Sequence, residues 1–146
     1  MTHPPHSREF FDEHMAMFTQ GREAMRSALE RLPAAKEELL AAKDTLEQIK
    51  ATVVANGGLG DMLIDGKNEA QRSAQLTAAL ETYDPYLRAR RDVREMETHI
   101  GAIEADVTEA GDLMRQARLA LEYATAHMNR QAAMEGGRAL NERTGR

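Results

Sequence analysis

A heptad repeat of apolar residues in the second half of the chain constrains its fold more than any other feature. From Ala89 to Met128 the apolar positions alternate at spacings of four and three residues without interruption. This period places them on one face of an α-helix and is typical of a helix that packs along a partner helix. The positions are Ala89, Val93, Met96, Ile100, Ile103, Val107, Ala110, Met114, Ala117, Leu121, Ala124 and Met128. We therefore predict one long helix over residues 85–134.

The ends of this helix are marked by residues that favour helix boundaries. Asp84 and Pro85 are typical of an N-cap and a first helical position. Gly136 and Gly137 are typical of a helix end. We therefore predict that the helix stops there and that residues 135–146 form a tail.

A second heptad seam near the N-terminus predicts the partner helix, over residues 8–55 with Ser7 as N-cap. Its two interleaved sets are Phe11, Phe18, Met25, Leu32, Leu39, Leu46 and Val53, and His14, Gly21, Ala28, Ala35, Ala42 and Ile49. Pro33 interrupts the seam, and a proline inside a helix costs about 3 kcal/mol. The heptad phase is the same on both sides, which favours one helix kinked near Pro33. The alternative is two helices joined at Leu32 and Pro33.

The two seams complement each other in size when they run antiparallel. If paired residue numbers sum to 142, Gly21 lies opposite Leu121 and Met25 lies opposite Ala117, so that large residues face small ones. A slip of one heptad matches nearly as well. The predicted fold is all-α, a long antiparallel helical hairpin (a coiled coil) in a single domain of residues 1–146, with a short helix in the connecting tip.

Further apolar residues lie outside both seams, and because a two-helix hairpin buries only one stripe per helix, they need either the short helix or a second chain to cover them. Of these two we predict the second chain, in a homo-oligomer. These residues are Phe10, Met15, Leu29, Leu40, Leu113 and Leu119.

The connecting tip, residues 56–84, is rich in turn-forming residues and holds the first candidate site. Asn68 is a candidate N-cap for the short helix, with Gln71 three residues later as in a capping box. Gly66, Lys67 and Arg72 surround this cap. Glycine permits close backbone approach, a helix N-terminus attracts anions, and the two cations add positive charge. Lys67, Asn68 and Arg72 are therefore candidate phosphate ligands, although the spacing is not that of a P-loop. The alternative is an ordinary turn and N-cap with solvated charges.

The second candidate site follows directly, where Tyr83 and Tyr86 precede Arg88, Arg90 and Arg91. Tyrosine rings stack on bases, and arginine pairs with phosphate. The alternative is that the tyrosines pack against the short helix and the arginines form a solvated face. Between residues 66 and 94 six cations outnumber four acids, whereas the whole chain carries −5. The tip is therefore predicted to be a basic region of an acidic protein.

The rest of the sequence argues against several kinds of protein and several kinds of site. The chain has no cysteine and therefore no disulfide or thiolate metal site. The net negative charge does not predict general affinity for nucleic acid. No apolar run reaches the ~20 residues of a membrane span, and the N-terminus lacks the pattern of a secretory signal. No catalytic triad or carboxylate pair stands out. We expect a cytoplasmic, non-enzymatic protein without a metal or cofactor.

The segment D-G-K-N-E-A-Q-R, residues 65–72, followed by L-x-x-A-L and Y-D-P-Y, resembles small helical proteins encoded by phages and prophages. Those proteins carry a similar G-K-N-E-A-x-R turn between two heptad helices. The resemblance covers residues 65–94. It implies a phage gene product acting in the host cytoplasm and marks Lys67, Asn68 and Arg72. The Y-D-P-Y segment and the long N-terminal arm with Pro33 depart from the pattern.

Three functions fit these observations. The first is a binding protein that holds an anionic ligand, such as a nucleotide or nucleotide signal, at the basic tip. In a phage, such a protein suits sequestration of a host defence signal. The second is an accessory protein that binds single-stranded nucleic acid or a recombination partner, and the third is a purely structural coiled coil.

Overall fold

The computed structural model describes residues 3–145, which form three helices and a two-stranded β-hairpin. In chain order the elements are α1 (Arg8–Ala55), β1 (Gly58–Leu59), β2 (Met62–Leu63), α2 (Glu69–Leu80) and α3 (Asp84–Thr144). The predicted all-α class is therefore confirmed, with the β-hairpin as a small addition in the tip.

Helix α1 begins where the sequence predicts and continues through Pro33. The Phe10 amide donates a hydrogen bond of 3.1 Å to the Ser7 hydroxyl oxygen, which confirms the N-cap. The helix runs unbroken from Arg8 to Ala55 with Pro33 inside it. The single-helix interpretation is therefore correct, and the alternative of two helices joined at Leu32 and Pro33 is wrong. Seam residues on both sides of the proline, such as Ala28 and Ala35, are buried and stabilise the helix against the lost hydrogen bond.

The heptad seams form the core. Every predicted seam position of α1 is buried or half-buried, and so is every predicted position of α3 except Met128, which is 41% exposed. Within residues 3–145 no polar or charged residue is buried. The core is therefore built of aliphatic, aromatic and small side chains that the 3.5-residue period brings to one face.

The chain divides into two compact units. The first combines residues up to Glu30 with residues from Ala105 onward, and the second is Arg31–Glu104. In the first unit Gly21 lies against Met114, while His6 stacks on His127 with ring centroids 6.0 Å apart. These contacts make the two segments of the first unit antiparallel.

The second unit has the same antiparallel arrangement. Lys43 forms an ion pair of 3.3 Å with Glu97, while Lys50, seven residues later, lines a cavity together with Tyr86 and Arg90. Residues later in α1 therefore lie near residues earlier in α3, so the two segments of this unit are antiparallel.

The structure corrects the pairing of residues that sum to 142 in favour of the alternative, a slip of one heptad. A Cβ added to Gly21 would lie 2.7 Å from Met114 Cγ, and one added to Gly111 would lie 3.4 Å from Met25 Cε. Gly21 therefore faces Met114 instead of Leu121. In a strictly periodic seam, residues of similar size recur every seven positions. Large residues therefore face small ones in both registers, and side-chain size does not distinguish the two.

The C-terminal tail is a second correction, because α3 continues to Thr144 instead of ending at Gly136 and Gly137. Each glycine weakens a helix by about 1 kcal/mol relative to alanine. Strong helix formers, among them Met134 and Leu140, flank the pair. Residues 135–144 of the predicted tail are therefore helical, whereas Arg146 lies outside the described residues.

The tip contains a β-hairpin that the sequence interpretation missed. Gly58 pairs with Leu63 and Leu59 pairs with Met62, in antiparallel register. Gly58 has φ +129°, and a Cβ there would overlap the Met62 carbonyl oxygen. The glycines of the tip therefore close a hairpin in addition to ending α1.

Candidate ligand-binding site

The turn at Gly66 satisfies its own backbone donors. The Gly66 amide donates to Gln75 Oε1 at 2.8 Å, and the Lys67 amide donates to Gln71 Oε1 at 2.9 Å. The Gln71 amide donates to Asn68 Oδ1 at 2.9 Å, which confirms the predicted N-cap of α2. These three donors are occupied by protein side chains, so they do not point toward a ligand.

Gly66 itself serves packing against α2. A Cβ there would lie 2.7 Å from Gln71 Cβ and 2.8 Å from the Arg72 amide nitrogen. The close approach that requires glycine is thus made to the helix. Lys67 is exposed, and Arg72 lies 3.9 Å from Glu69 in an exposed pair. The interpretation as an ordinary turn and N-cap accounts for this geometry.

A cavity in the second unit is lined by other residues than those of this turn. Its volume is about 260 Å³. Side chains from α1, α2 and α3 contribute to it. They are Lys50 from α1, Ser73, Leu76, Thr77 and Leu80 from α2, Glu81 at its end, and Tyr86 and Arg90 from α3.

Helix periodicity determines which residues of α3 reach the cavity. Tyr86 and Arg90 are one turn apart on the same face, and the Arg90 guanidinium carbon lies 5.8 Å from the centre of the Tyr86 ring. This distance is within the range of a cation–π contact. Arg88 and Arg91 lie on other faces of the helix and are exposed. Tyr83 is half-buried outside the cavity lining.

Of the residues predicted as ligands, the structure therefore places Tyr86 in the cavity, with Arg90 from the same cluster. Lys67, Asn68 and Arg72 lie outside the lining, as do Arg88 and Arg91.

Lys50 is the cation that sequence reasoning missed. Its Nζ lies 2.7 Å from Glu47 Oε1, and this hydrogen bond raises the pKa of Lys50 above its usual value. Partial burial opposes the rise, while the charges of Glu47 and Tyr86 add to it. Lys50 therefore stays cationic at neutral pH. It is the single cation in the last ten residues of α1. This position next to the tip is the sequence feature from which Lys50 could have been predicted as a site residue.

The α2 wall combines apolar and polar groups in a helical repeat. Leu76 and Leu80 are one turn apart, as are Ser73 and Thr77. Two leucines and the Tyr86 ring give the cavity an apolar surface. The Thr77 hydroxyl donates to the Ser73 carbonyl oxygen at 3.0 Å, so the Ser73 hydroxyl and the two cations are the hydrogen-bond donors for an anion.

The described residues contain no group of three or more histidine or acidic side chains placed to hold a metal ion. Within the same residues, no helix is both long and apolar enough to cross a membrane.

Comparison of the chain with protein-family models, with curated proteins and with solved structures gives no match.

Proposed function

We propose that the protein is a non-enzymatic binding protein that holds a small nucleotide-like anion in the cavity between α1, α2 and α3. The observation that carries this proposal is the convergence of two cations, Lys50 and Arg90, on a cavity walled by the Tyr86 ring. A phosphate group would lie between the cations, because charge-assisted hydrogen bonds are the strongest polar contacts that side chains make.

The size of the cavity and the residues that line it indicate what the ligand contains besides the phosphate group. Small-molecule sites usually occupy about 300–1,000 Å³, so a cavity of about 260 Å³ favours a ligand no larger than a mononucleotide. The Tyr86 ring offers a face for stacking, and Leu76 and Leu80 offer apolar contact. Two carboxylates offset the two cations, because Glu81 lines the cavity and Glu47 is bonded to Lys50, which favours an anion of low charge over a polyphosphate.

Three further proposals accompany this one. The first is that α1 and α3 form a single antiparallel hairpin, which the unbroken heptad phase of both helices supports. The second is a homo-oligomeric assembly, and the third is a cytoplasmic location. The resemblance of residues 65–94 to phage-encoded helical proteins supports sequestration of a host nucleotide signal as the biological role.

Isothermal titration of the full chain with the four ribonucleoside 5′-monophosphates tests the binding proposal, with the uncharged nucleosides and inorganic phosphate as reference ligands. We expect saturable binding of at least one monophosphate and weaker binding of its nucleoside. Arg90→Met should weaken binding roughly 10- to 150-fold, since a hydrogen bond to a charged group contributes about 1.5–3 kcal/mol.

Arg88→Met is the matched control, because it removes the same charge from the same helix outside the cavity. It should leave the affinity nearly unchanged. Equal losses in both variants would indicate general electrostatic attraction and contradict the cavity as the site. Loss in Lys67→Ala or Arg72→Ala with full binding in Arg90→Met would move the site to the Gly66 turn.

Titration with short single-stranded oligonucleotides distinguishes the second function, that of a nucleic-acid accessory protein, from nucleotide binding. Tight binding that falls steeply with salt, without binding of monophosphates, would favour the nucleic-acid accessory role. If none of these ligands binds at low salt, the structural coiled coil becomes the better account.

A further inference from the structure

The C-terminal part of α3 is a helix without a partner inside the described chain. Every described residue from Met128 onward is exposed, and the helix continues to Thr144. Isolated helices of about 12–15 residues are marginal in water, and Gly136 and Gly137 weaken this one further. Such a segment needs contact with another surface to be stably helical.

An exposed heptad stripe runs along this part of α3, on a different face from the buried seam. The stripe alternates spacings of four and three and consists of Leu119, Tyr123, Ala126, Arg130, Ala133, Gly137 and Leu140. Its large members are 58% (Leu119), 63% (Tyr123) and 66% (Leu140) exposed. A second heptad stripe on one helix predicts a second helical contact.

The stripe is complementary to itself when two copies run antiparallel. A two-fold axis midway between Arg130 and Ala133 pairs six of the seven stripe residues in three kinds of layer, each present twice, and sets Leu119 opposite the second copy's Thr144. The layers pair Tyr123 with the second copy's Leu140, Ala126 with the second copy's Gly137 and Arg130 with the second copy's Ala133. The layers of Ala126 and Gly137 are small, and a Cβ at Gly136 or Gly137 would meet nothing within 4 Å, so a second helix can approach closely there.

Charge complementarity favours this antiparallel pairing. The same register sets Glu122, which accepts a hydrogen bond of 2.8 Å from Arg118 of its own helix, beside the second copy's Arg143 on the flank of the stripe, and the axis repeats this arrangement. A parallel pairing would place the two Arg130 side chains in the same layer of the seam, where like charges repel, whereas the antiparallel register offsets them by one layer. The distribution of charge therefore favours the antiparallel orientation of the second copy.

A groove in the first unit extends this contact surface. It has a volume of about 940 Å³ and is lined by apolar residues of both helices, including Met15, Phe18 and Leu121, and by the polar residues Arg115, Arg118, Thr125 and Asn129 of α3. Glu122 and Ala126 also line it. Because the second copy's Leu140 lies opposite Tyr123, the end of its helix reaches the groove beside these residues.

We propose that two copies of this chain associate through the exposed stripe of α3, antiparallel, with the end of each α3 at the apolar groove of the other. This interface lies in the first unit and does not depend on the ligand cavity of the second unit.

Sedimentation equilibrium of the full chain over a range of concentrations tests the proposal. We expect a reversible dimer. Leu140→Glu should abolish the dimer, and Arg143→Glu should weaken it roughly tenfold, since two symmetry-related pairs change from attraction to repulsion. Combining Arg143→Glu with Glu122→Arg should restore the wild-type dimer. Arg138→Glu, on another face, is the matched control and should leave the dimer unchanged.

Disulfide trapping tests the orientation, because the chain has no cysteine of its own. Mixing Ala126→Cys chains with Gly137→Cys chains should give a covalent dimer, whereas neither variant should cross-link to itself. A wild-type monomer at all concentrations, or a dimer that survives Leu140→Glu, would overturn the proposal. Self-cross-linking of Ala126→Cys alone would also overturn it, because that product requires parallel helices.

Discussion

Replacement of Gly21 by alanine is the sharpest test of how α1 and α3 pack in the first unit. Gly21 is buried in the α1 seam. A methyl group there would lie 2.7 Å from Met114 Cγ, 3.0 Å from the Ala110 carbonyl oxygen and 3.3 Å from the Met114 amide nitrogen. The Met114 side chain and the α3 backbone would both have to move to admit it.

The expected magnitude is the difference of two effects. Alanine favours a helix over glycine by about 0.8–1.0 kcal/mol. Forcing a methyl group into a packed core costs about 1–3 kcal/mol. Gly21→Ala should therefore lower the free energy of unfolding by about 0–2 kcal/mol. Gly101→Ala isolates the first effect, because Gly101 is exposed in α3 and its added Cβ would meet nothing within 4 Å.

Urea unfolding followed by circular dichroism measures both variants against the wild type. Gly101→Ala should raise the free energy of unfolding by about 1 kcal/mol. The free energy of unfolding of Gly21→Ala should be about 1–3 kcal/mol lower than that of Gly101→Ala. The gain in helix propensity is the same in both variants, so the difference between them is the cost of overpacking. The corresponding separation of melting temperatures is roughly 3–10 °C for a chain of this size. Equal stabilisation by the two substitutions would refute the close approach of α1 to α3 at Gly21.

Two further predictions concern the second unit. Asn68→Ala removes the side chain that accepts from the Gln71 amide and should lower the free energy of unfolding by about 1 kcal/mol, measured by urea unfolding, whereas Asn68→Ser should retain most of the stability. Because the pKa of Lys50 is raised in the folded state, its pair with Glu47 should stabilise the fold throughout neutral pH and lose this effect as pH rises above the ordinary lysine range, about 10.4. The stability difference between wild type and Lys50→Met should therefore be constant from pH 6 to about 10 and shrink as the pH rises through the raised pKa of Lys50, and a difference that grows with pH would contradict the assignment.

The sequence predicts the helices well, because their signal is repeated along each seam. Apolar spacing locates both long helices, and side-chain chemistry identifies the caps at Ser7 and Asn68. The register is not encoded in the same way. Gly21 matches Met114 and Leu121 about equally in size, so the choice between them depends on the tip, whose geometry the heptad pattern does not contain.

The candidate site is less predictable because it depends on contacts between distant segments. Tyr86 and Arg90 belong to a visible local cluster, but Lys50 lies more than thirty residues earlier on another helix. The Gly66 turn is misleading for a related reason. Its glycine and polar residues match an anion site in type, yet side chains of Gln71 and Gln75 occupy its donors. Only three-dimensional contacts distinguish a donor that is free from one that is already bonded.

The apolar seams have a consequence for how such a chain can change in length over evolution. A buried polar residue often fixes the register of paired helices, but residues 3–145 contain no buried polar or charged side chain. Neighbouring heptads of the first unit are therefore close to interchangeable. Loss or gain of seven residues in α1, matched by seven in the facing segment of α3, would preserve the phase of both seams. The first unit can thus vary in steps of whole heptads, while the α2 region and its cavity keep their sequence and geometry.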